Sequence, residues 1–401
     1  MSEKEQDTQV SGGVGGTLRR LGRVLTEGRA GSLLVILMIA AIWIFFQIMN
    51  ANFLSPANLT NLMLQNVAVA TISIGVVLIL LLGEIDLSVG SVSGLCAAVM
   101  AVLIVNHNTS PMLAMLAALA TGAAIGLFTG FMITRFRIPS FVITLAGLLL
   151  WEGLQLYVLG ATGTVNLPNN LVTKLTSTFF SPLAGWIIAV LAIVCMCGLA
   201  FLGRARRRRA GLPAGPMRAQ AIRLVLVGAA MIAAIVVFNK DRGLPLAVVI
   251  VVGLALVFVY VTEQTRFGRH IFAVGGNAEA ARRAGIRIDR VRIIVFVAAS
   301  ALAAGGGILA ASRLLAVNQS SGGSDLLLMA IAGPVIAGTS LFGGRGSVWS
   351  ALLGALVIGS IANGMDLMSL SASVKFMVTG GVLILAVTLE AATRLRRQTE
   401  D

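Results

Sequence analysis

Residues 62–82 read LMLQNVAVATISIGVVLILLL, a stretch without a charged side chain. A bilayer core of about 30 Å is crossed by roughly 20 apolar residues in a helix, so this stretch has the length of one membrane span. Its backbone groups would find no water in lipid, and a helix satisfies them all within the segment. The stretch therefore predicts a transmembrane helix.

The rest of the chain repeats this pattern. Hydrophobic residues make up 57% of its 401 residues and charged residues 11%, whereas a soluble protein has about a quarter charged. We predict an all-α fold, a polytopic transmembrane bundle of roughly 10–12 segments. Two of the blocks are short and predict broken or re-entrant helices, 91–105 and 325–341. The other apolar blocks are 32–49, 111–134, 138–158, 183–202, 221–238, 244–261, 293–311, 347–363 and 374–389.

The basic residues predict the orientation. If both termini are cytoplasmic, most arginines fall on that side, as the positive-inside rule requires. Topology then explains the net charge of +14, and no nucleic-acid partner is expected. The predicted parts are a disordered cytoplasmic tail (1–31), a transmembrane domain (32–392) and a second cytoplasmic tail (393–401), with an arginine-rich cytoplasmic linker (203–220) and a cytoplasmic loop (262–292) inside the domain.

Residues for enzyme chemistry are sparse. Three cysteines and two histidines are too few and too scattered for a disulfide framework or a metal cluster. The segment 338–345, GTSLFGGR, superficially resembles a phosphate-binding loop but lacks the Lys and the Ser or Thr after its second glycine. We therefore predict no catalytic residue, no metal site and no bound cofactor, and no ATP hydrolysis by this loop.

A few polar side chains lie in or beside the apolar blocks. Charges buried in lipid are costly, so such groups face a cavity or a partner. Asp86 followed by Ser88 has the pattern of a helix cap, in which an oxygen accepts backbone N–H bonds. The alternative is a polar translocation path, for which the candidates are Glu84, Asp86, Ser88 and Asp325.

The loop 262–292 contains the pattern of a short helix. Asn277 can cap a helix that starts at Ala278, and Gly285 can end it in a left-handed turn. From the residues alone, this helix is either a knob for a peripheral partner or a surface helix along the lipid headgroups.

Two glycine patterns carry structural predictions. Gly122, Gly126 and Gly130 recur every four residues, which makes a smooth stripe for close helix packing. The adjacent glycines at 305–307 weaken a helix and predict a kink or hinge.

Several motifs in a fixed order give a family resemblance. They are GEIDLSVGS (83–91), TRFGR (265–269), GGN (275–277), AAR (280–282), GI (285–286), GTSL (338–341), GGRGS (343–347) and NGM (363–365). In these stretches the chain resembles the permease subunits of bacterial sugar ABC importers of the ribose, xylose and galactose type. The long region 183–261 and the stretch 363–368 look more like the xylose-type branch.

The resemblance implies a type II ABC-importer-like fold in the bacterial inner membrane. It implies a permease that moves a monosaccharide, a pentose such as xylose, by alternating access. ATP and Mg²⁺ would be used by a separate ABC ATPase subunit, a periplasmic sugar-binding protein would deliver the sugar, and a second permease copy would complete a homodimer. The residues expected to couple to the ATPase are Gly276, Asn277, Ala281, Arg282 and Gly285.

An ion-coupled secondary sugar transporter is the alternative. Such a protein would need functional carboxylates near the middle of the membrane in both halves of the chain. Glu152 and Asp325 are the acidic residues that could serve that role.

Overall fold

A computed structural model describes residues 30–211, 216–382, 384 and 388. The predicted tails at 1–31 and 393–401 and part of the predicted linker lie outside these described residues, apart from 30 and 31. The described helices are α1 (Ala30–Met49), α2 (Pro56–Leu81), α3 (Val89–Val105), α4 (Pro111–Phe136), α5 (Ser140–Leu159), α6 (Leu171–Ser177), α7 (Pro182–Arg209), α8 (Met217–Lys240), α9 (Leu246–Gln264), α10 (Arg266–Gly276), α11 (Ala278–Arg283), α12 (Ile288–Leu314), α13 (Ser324–Ile336), α14 (Trp349–Leu367) and α15 (372–382).

Two short antiparallel ladders join loops that are far apart in sequence. Strand β1 (Thr164–Asn166) pairs with β4 (Ala316–Asn318), so that Val165 lies opposite Val317. Strand β2 (Phe179–Phe180) pairs with β3 (Leu244–Pro245). These ladders fasten the loop after α5 to the loop after α12, and the loop before α7 to the loop before α9.

The prediction of a polytopic all-α membrane protein is confirmed. Eight of the described helices are long and apolar enough to cross a membrane. Three shorter apolar helices accompany them, in α1, α3 and α13. Helix α13 has 13 residues, which at 1.5 Å each span about 20 Å and fall short of the bilayer core. Its length is that of a helix that crosses only part of the bilayer, as the short block 325–341 predicts.

Helix α2 is the centre of the bundle. Of its most apolar 18 residues, 94% are buried, against 11% of the corresponding residues in α7 and 17% in α8. A helix that is apolar on all sides and packed on all sides belongs in the middle of a large bundle. Helices α12, α14 and α13 pack around α2, while α7 and α8 present apolar side chains outwards.

The glycine stripe of α4 packs closely against α12, as predicted. A Cβ atom at Gly122 would lie 2.6 Å from the Ser300 carbonyl oxygen, and one at Gly130 would lie 2.9 Å from Ile293 Cα. Only glycine lets two helix backbones approach to this distance.

The glycines at 305–307 do not interrupt α12, which runs from Ile288 to Leu314, and the kink or hinge there stays a prediction. Gly306 and Gly307 allow close packing. A side chain at Gly306 would meet the Ala68 carbonyl oxygen of α2 at 3.0 Å, and one at Gly307 would overlap the Ser93 carbonyl oxygen of α3. Burial against two neighbouring helices offsets the intrinsic cost of glycine in a helix, about 1 kcal/mol per residue.

The linker predicted at 203–220 is mostly helical. Helix α7 continues to Arg209 and α8 begins at Met217, so the connection is much shorter than predicted. Arginines 206–209 form the last turn of α7, where positive charge favours the negative end of the helix dipole. The loop 262–292 is likewise largely helical, since it holds α10 and α11.

Candidate functional site

Helix α11 is a single capped unit between α10 and α12. The Asn277 side-chain oxygen accepts a hydrogen bond from the Ala280 N–H at 2.9 Å. At the other end Gly285 has a φ of +83°, and the Ile286 N–H donates to the Ala281 carbonyl at 3.0 Å. Both the predicted cap and the predicted left-handed turn are therefore present, and together they fix the position of a helix too short to be stable alone.

One side of α11 packs against the rest of the chain, and the other side is exposed. Gly276, Asn277, Arg282 and Gly285 are exposed, as an interaction surface requires. Ala281 is different, because it is 4% exposed and packs into an apolar cluster with residues of α10 and α12. The prediction that Ala281 contacts a partner is therefore corrected: its methyl group attaches α11 to this chain's own core.

The end of α2, the end of α10 and the loop 338–347 meet close to Gly275, which lies shortly before α11 in the chain. The Gly344 N–H donates to the Leu81 carbonyl at 3.0 Å, which ties the 338–347 loop to the end of α2. A Cβ atom at Gly275 would overlap that same Leu81 oxygen, and one at Gly343 would lie 2.8 Å from Gly83 Cα. We call Gly83, Gly275, Gly343 and Gly344 the glycine junction.

The glycine junction was not predicted as a site. The motifs that contain these glycines are adjacent in space because no side chain separates their backbones. The 338–347 loop, which superficially resembles a phosphate-binding loop, is closed by a hydrogen bond from the Ser340 N–H to the Arg345 carbonyl at 3.0 Å. The loop thus packs rigidly against the end of α2 and the end of α10.

Glu84 is held in an ion pair. Its Oε1 lies 2.8 Å from the Arg292 guanidinium at the start of α12, and its side chain is 13% exposed. The pair joins the turn after α2 to α12. Glu84 also lines a cavity of about 860 Å³ together with Arg282 of α11. Glu84 thus lies near Arg282, one of the residues predicted to couple to an ATPase, and its place on a translocation path stays a prediction.

Asp86 and Ser88 form a local turn at the start of α3. One oxygen of the buried Asp86 carboxylate accepts the Ser88 N–H at 2.8 Å and the Ser88 hydroxyl at 2.6 Å. Ser88 is the residue before α3, and its own side chain makes no capping bond. Asp86 therefore accepts a backbone N–H bond as the capping pattern predicts, but the bond comes from Ser88, the residue before α3, and not from within the helix.

Asp325 is the exposed member of the predicted path residues. It lies in the first turn of α13, where a negative charge favours the positive end of the helix dipole. Helix α13 runs beside the start of α3, with Leu327 against Gly90. Among the described residues, no hydrogen bond or ion pair joins Asp325 to Asp86 or Ser88.

The loop before α13 is held in place by Gln155. The buried Gln155 amide donates to the Asn318 carbonyl at 3.0 Å and to the Ser321 carbonyl at 2.9 Å. Gln155 was not singled out from the sequence, although a lone amide inside an apolar block is a signal that could have been used. In the described part of the chain, no cluster of His, Cys, Asp and Glu is suited to a metal ion.

Comparison with known proteins gives the family. A family model described as "Branched-chain amino acid transport system / permease component" matches residues 58–387. The chain belongs to this permease family. No solved structure matches it. The glycine junction and α11 of this permease both fall within the matched region.

Named relatives resemble the permease over nearly its whole length. The xylose transport system permease protein XylH of Escherichia coli (strain K12) is 35% identical over 90% of this chain and 92% of its own length. The corresponding protein of Haemophilus influenzae is 32% identical over 90% of this chain and 96% of its own length. The ribose import permease protein RbsC of Escherichia coli (strain K12) is 31% identical, with coverages of 90% and 92%.

Proposed function

We propose that this permease is the membrane subunit of an ATP-binding-cassette importer that moves a monosaccharide, a pentose such as xylose, across the bacterial inner membrane. The observation that carries the proposal is the capped helix α11, which is exposed on one side and attached through the glycine junction to the transmembrane core. The names of the relatives, which include xylose and ribose permeases, supply the substrate class.

The proposed mechanism is alternating access driven from outside the bundle. A separate ATPase subunit, with its own ATP and Mg²⁺, binds the exposed side of α11 at Gly276, Asn277, Arg282 and Gly285. When the ATPase closes, α11 moves. Because packed interfaces switch between discrete arrangements and deform little in between, the movement reaches α2 and α12 undiminished.

The remaining partners follow from the same proposal. A periplasmic sugar-binding protein supplies the sugar, so specificity resides mainly there and the permease needs no deep sugar site. A second copy of the chain completes the pathway as a homodimer. Both termini are cytoplasmic, which places the arginine-rich end of α7 and the helices α10 and α11 on the side of the ATPase.

The test is ATPase activity in lipid nanodiscs after co-expression with candidate sugar-importer ATPases. Arg282→Glu reverses a charge on the exposed side of α11, where it is 65% exposed, and we expect loss of the complex or of sugar-stimulated hydrolysis. Arg207→Glu is the matched control, because it makes the same change on the exposed last turn of α7. Equal activity of Arg282→Glu and wild type would contradict the proposed coupling surface.

A further inference from the structure

The 860 Å³ cavity beside α11 is strongly basic. Its walls come from three separate parts of the chain: the turn after α2, the turn between α4 and α5, and the connection from α11 into α12. Two lining residues are acidic, Glu84 and Asp289. The arginines that line it are Arg137, Arg282, Arg287, Arg290 and Arg292.

The cavity's positive charge is not neutralised internally. Glu84 pairs with Arg292, and Arg282 lies 4.0 Å from Glu279 on the surface of α11. Among the described residues, no ion pair is made by Arg137, Arg287 or Arg290. Cations gathered from separate elements around one cavity repel one another unless an anion lies between them.

Arg292 adds a second observation that points to an anionic ligand. Its Nε–H is buried and has no hydrogen-bond partner among the described residues. Leaving a buried donor unpaired costs roughly 1–3 kcal/mol, so such donors usually have a partner. A phosphate group offers several acceptor oxygens and suits the planar guanidinium fork.

Exposed apolar side chains adjoin the lining residues of the cavity along the chain. Phe136, at the end of α4, is 57% exposed, and Phe141, at the start of α5, is 52% exposed. Ile294 lies one helical turn beyond Arg290 and is 50% exposed. Exposed apolar side chains next to a basic cavity fit a ligand with an anionic head and apolar tails better than they fit a soluble ion or an acidic protein surface.

We propose that this cavity binds the phosphate group of an anionic phospholipid, with the acyl chains lying along Phe136, Phe141 and Ile294. The lipid completes the wall between α4, α12 and α11 and so stabilises the base on which α11 rests. This proposal concerns the chain alone, and its test needs neither an ATPase nor a sugar.

The test is native mass spectrometry of the purified full chain in detergent, titrated with phosphatidylglycerol or with phosphatidylcholine. We expect tighter binding of phosphatidylglycerol. The double variant Arg137→Gln/Arg287→Gln removes two cavity charges, and at about 1 kcal/mol per basic residue the affinity should fall by roughly tenfold or more. Both side chains are exposed, so the fold should persist, and thermal unfolding checks this.

Two further variants separate a site from general charge. Arg207→Gln/Arg208→Gln removes the same charge from the exposed end of α7, and should leave phosphatidylglycerol binding unchanged. Arg137→Lys/Arg287→Lys keeps the charge and should retain most of the binding. Equal losses in the α7 and cavity variants would overturn the proposal, since binding would then reflect total charge.

Two other results would also overturn the lipid assignment. If excess inorganic phosphate displaces phosphatidylglycerol completely, the ligand is a free phosphate. If the cavity variant binds the lipid as wild type does but loses the co-expressed ATPase, the cavity is a docking surface for an acidic protein. Retention of phosphatidylglycerol in excess phosphate, with loss only in the cavity variant, supports the proposal.

Discussion

Gly275 lies where two backbones touch, and this close approach predicts a sharp mutational effect. In Gly275→Ala the new methyl group overlaps the Leu81 carbonyl oxygen, which belongs to backbone and cannot move aside. We expect a loss of stability of at least about 1–3 kcal/mol, measured by denaturant unfolding in detergent. The neighbouring Gly276→Ala is the control, because nothing lies within 4 Å of its added methyl group. Equal stability of the two variants would contradict the glycine junction.

The Glu84–Arg292 ion pair gives a second prediction at the residue scale. A double-mutant cycle with Glu84→Gln and Arg292→Gln should give a favourable coupling free energy of about 1 kcal/mol, because both side chains are largely buried. The Glu279–Arg283 pair is the control, since it is 61% and 80% exposed and should couple by less than about 0.5 kcal/mol. A coupling near zero for the first pair would mean that it does not join α2 to α12.

Individual residues differ in how far the sequence predicts them. Asn277 and Gly285 act through local backbone geometry, so their roles follow from the order of residues. The roles of Glu84 and Ala281 depend on what α10 and α12 place beside them, and no local pattern reveals that. Sequence reasoning therefore predicts the cap and the turn, but it reveals neither the ion pair of Glu84 with Arg292 nor the burial of Ala281.

The cap of α11 can be tested at the scale of the element. Asn277→Ala removes the side-chain bond to the Ala280 N–H and should destabilise α11 by about 1 kcal/mol. Hydrogen exchange over 278–286 should accelerate, while exchange in α12 should not change. Asn277→Asp keeps the acceptor oxygen and should restore protection. Unchanged exchange in the alanine variant would mean that α11 is held by packing alone.

The glycines of α12 offer a matched pair. A methyl group at Gly307 overlaps the Ser93 carbonyl oxygen, whereas one at Gly305 meets its nearest atom, in Thr71, at 3.7 Å. We expect Gly307→Ala to destabilise the permease and Gly305→Ala to stabilise it by up to about 1 kcal/mol through helix propensity. Thermal unfolding in detergent measures both. Loss of stability in Gly305→Ala would show that α12 needs glycine freedom at that position.

At the scale of elements, the length of the apolar blocks predicts the helices better than the glycine and arginine patterns do. The blocks at 111–134 and 138–158 correspond closely to α4 and α5, because membrane helices are limited by hydrophobic length. The glycines at 305–307 do not break α12, since the cost of Gly306 and Gly307 in an isolated helix is offset by contacts with α2 and α3 that only the fold reveals. The arginines at 206–209 predict a linker but belong to α7, because a charged stretch can extend a helix beyond the membrane.

The topology of the whole molecule can be tested by labelling with a membrane-impermeant thiol reagent. His107→Cys and Arg207→Cys place thiols at exposed positions after α3 and near the end of α7. We expect labelling from outside intact cells at 107 only, and at 207 only after the membrane is opened. Labelling of the unsubstituted protein gives the background from Cys195 and Cys197, which are exposed on α7. The reverse pattern would invert the orientation.

The claim that this permease is driven by a separate ATPase is tested most directly by uptake of labelled xylose into proteoliposomes. The vesicles would hold the permease with its co-purified ATPase, with ATP inside and the sugar-binding protein outside. We expect accumulation that requires both ATP and the ATPase, and that is abolished by Arg282→Glu but not by Arg207→Glu. Accumulation by the permease alone, driven by a proton or sodium gradient without ATP, would contradict the account and favour a secondary transporter.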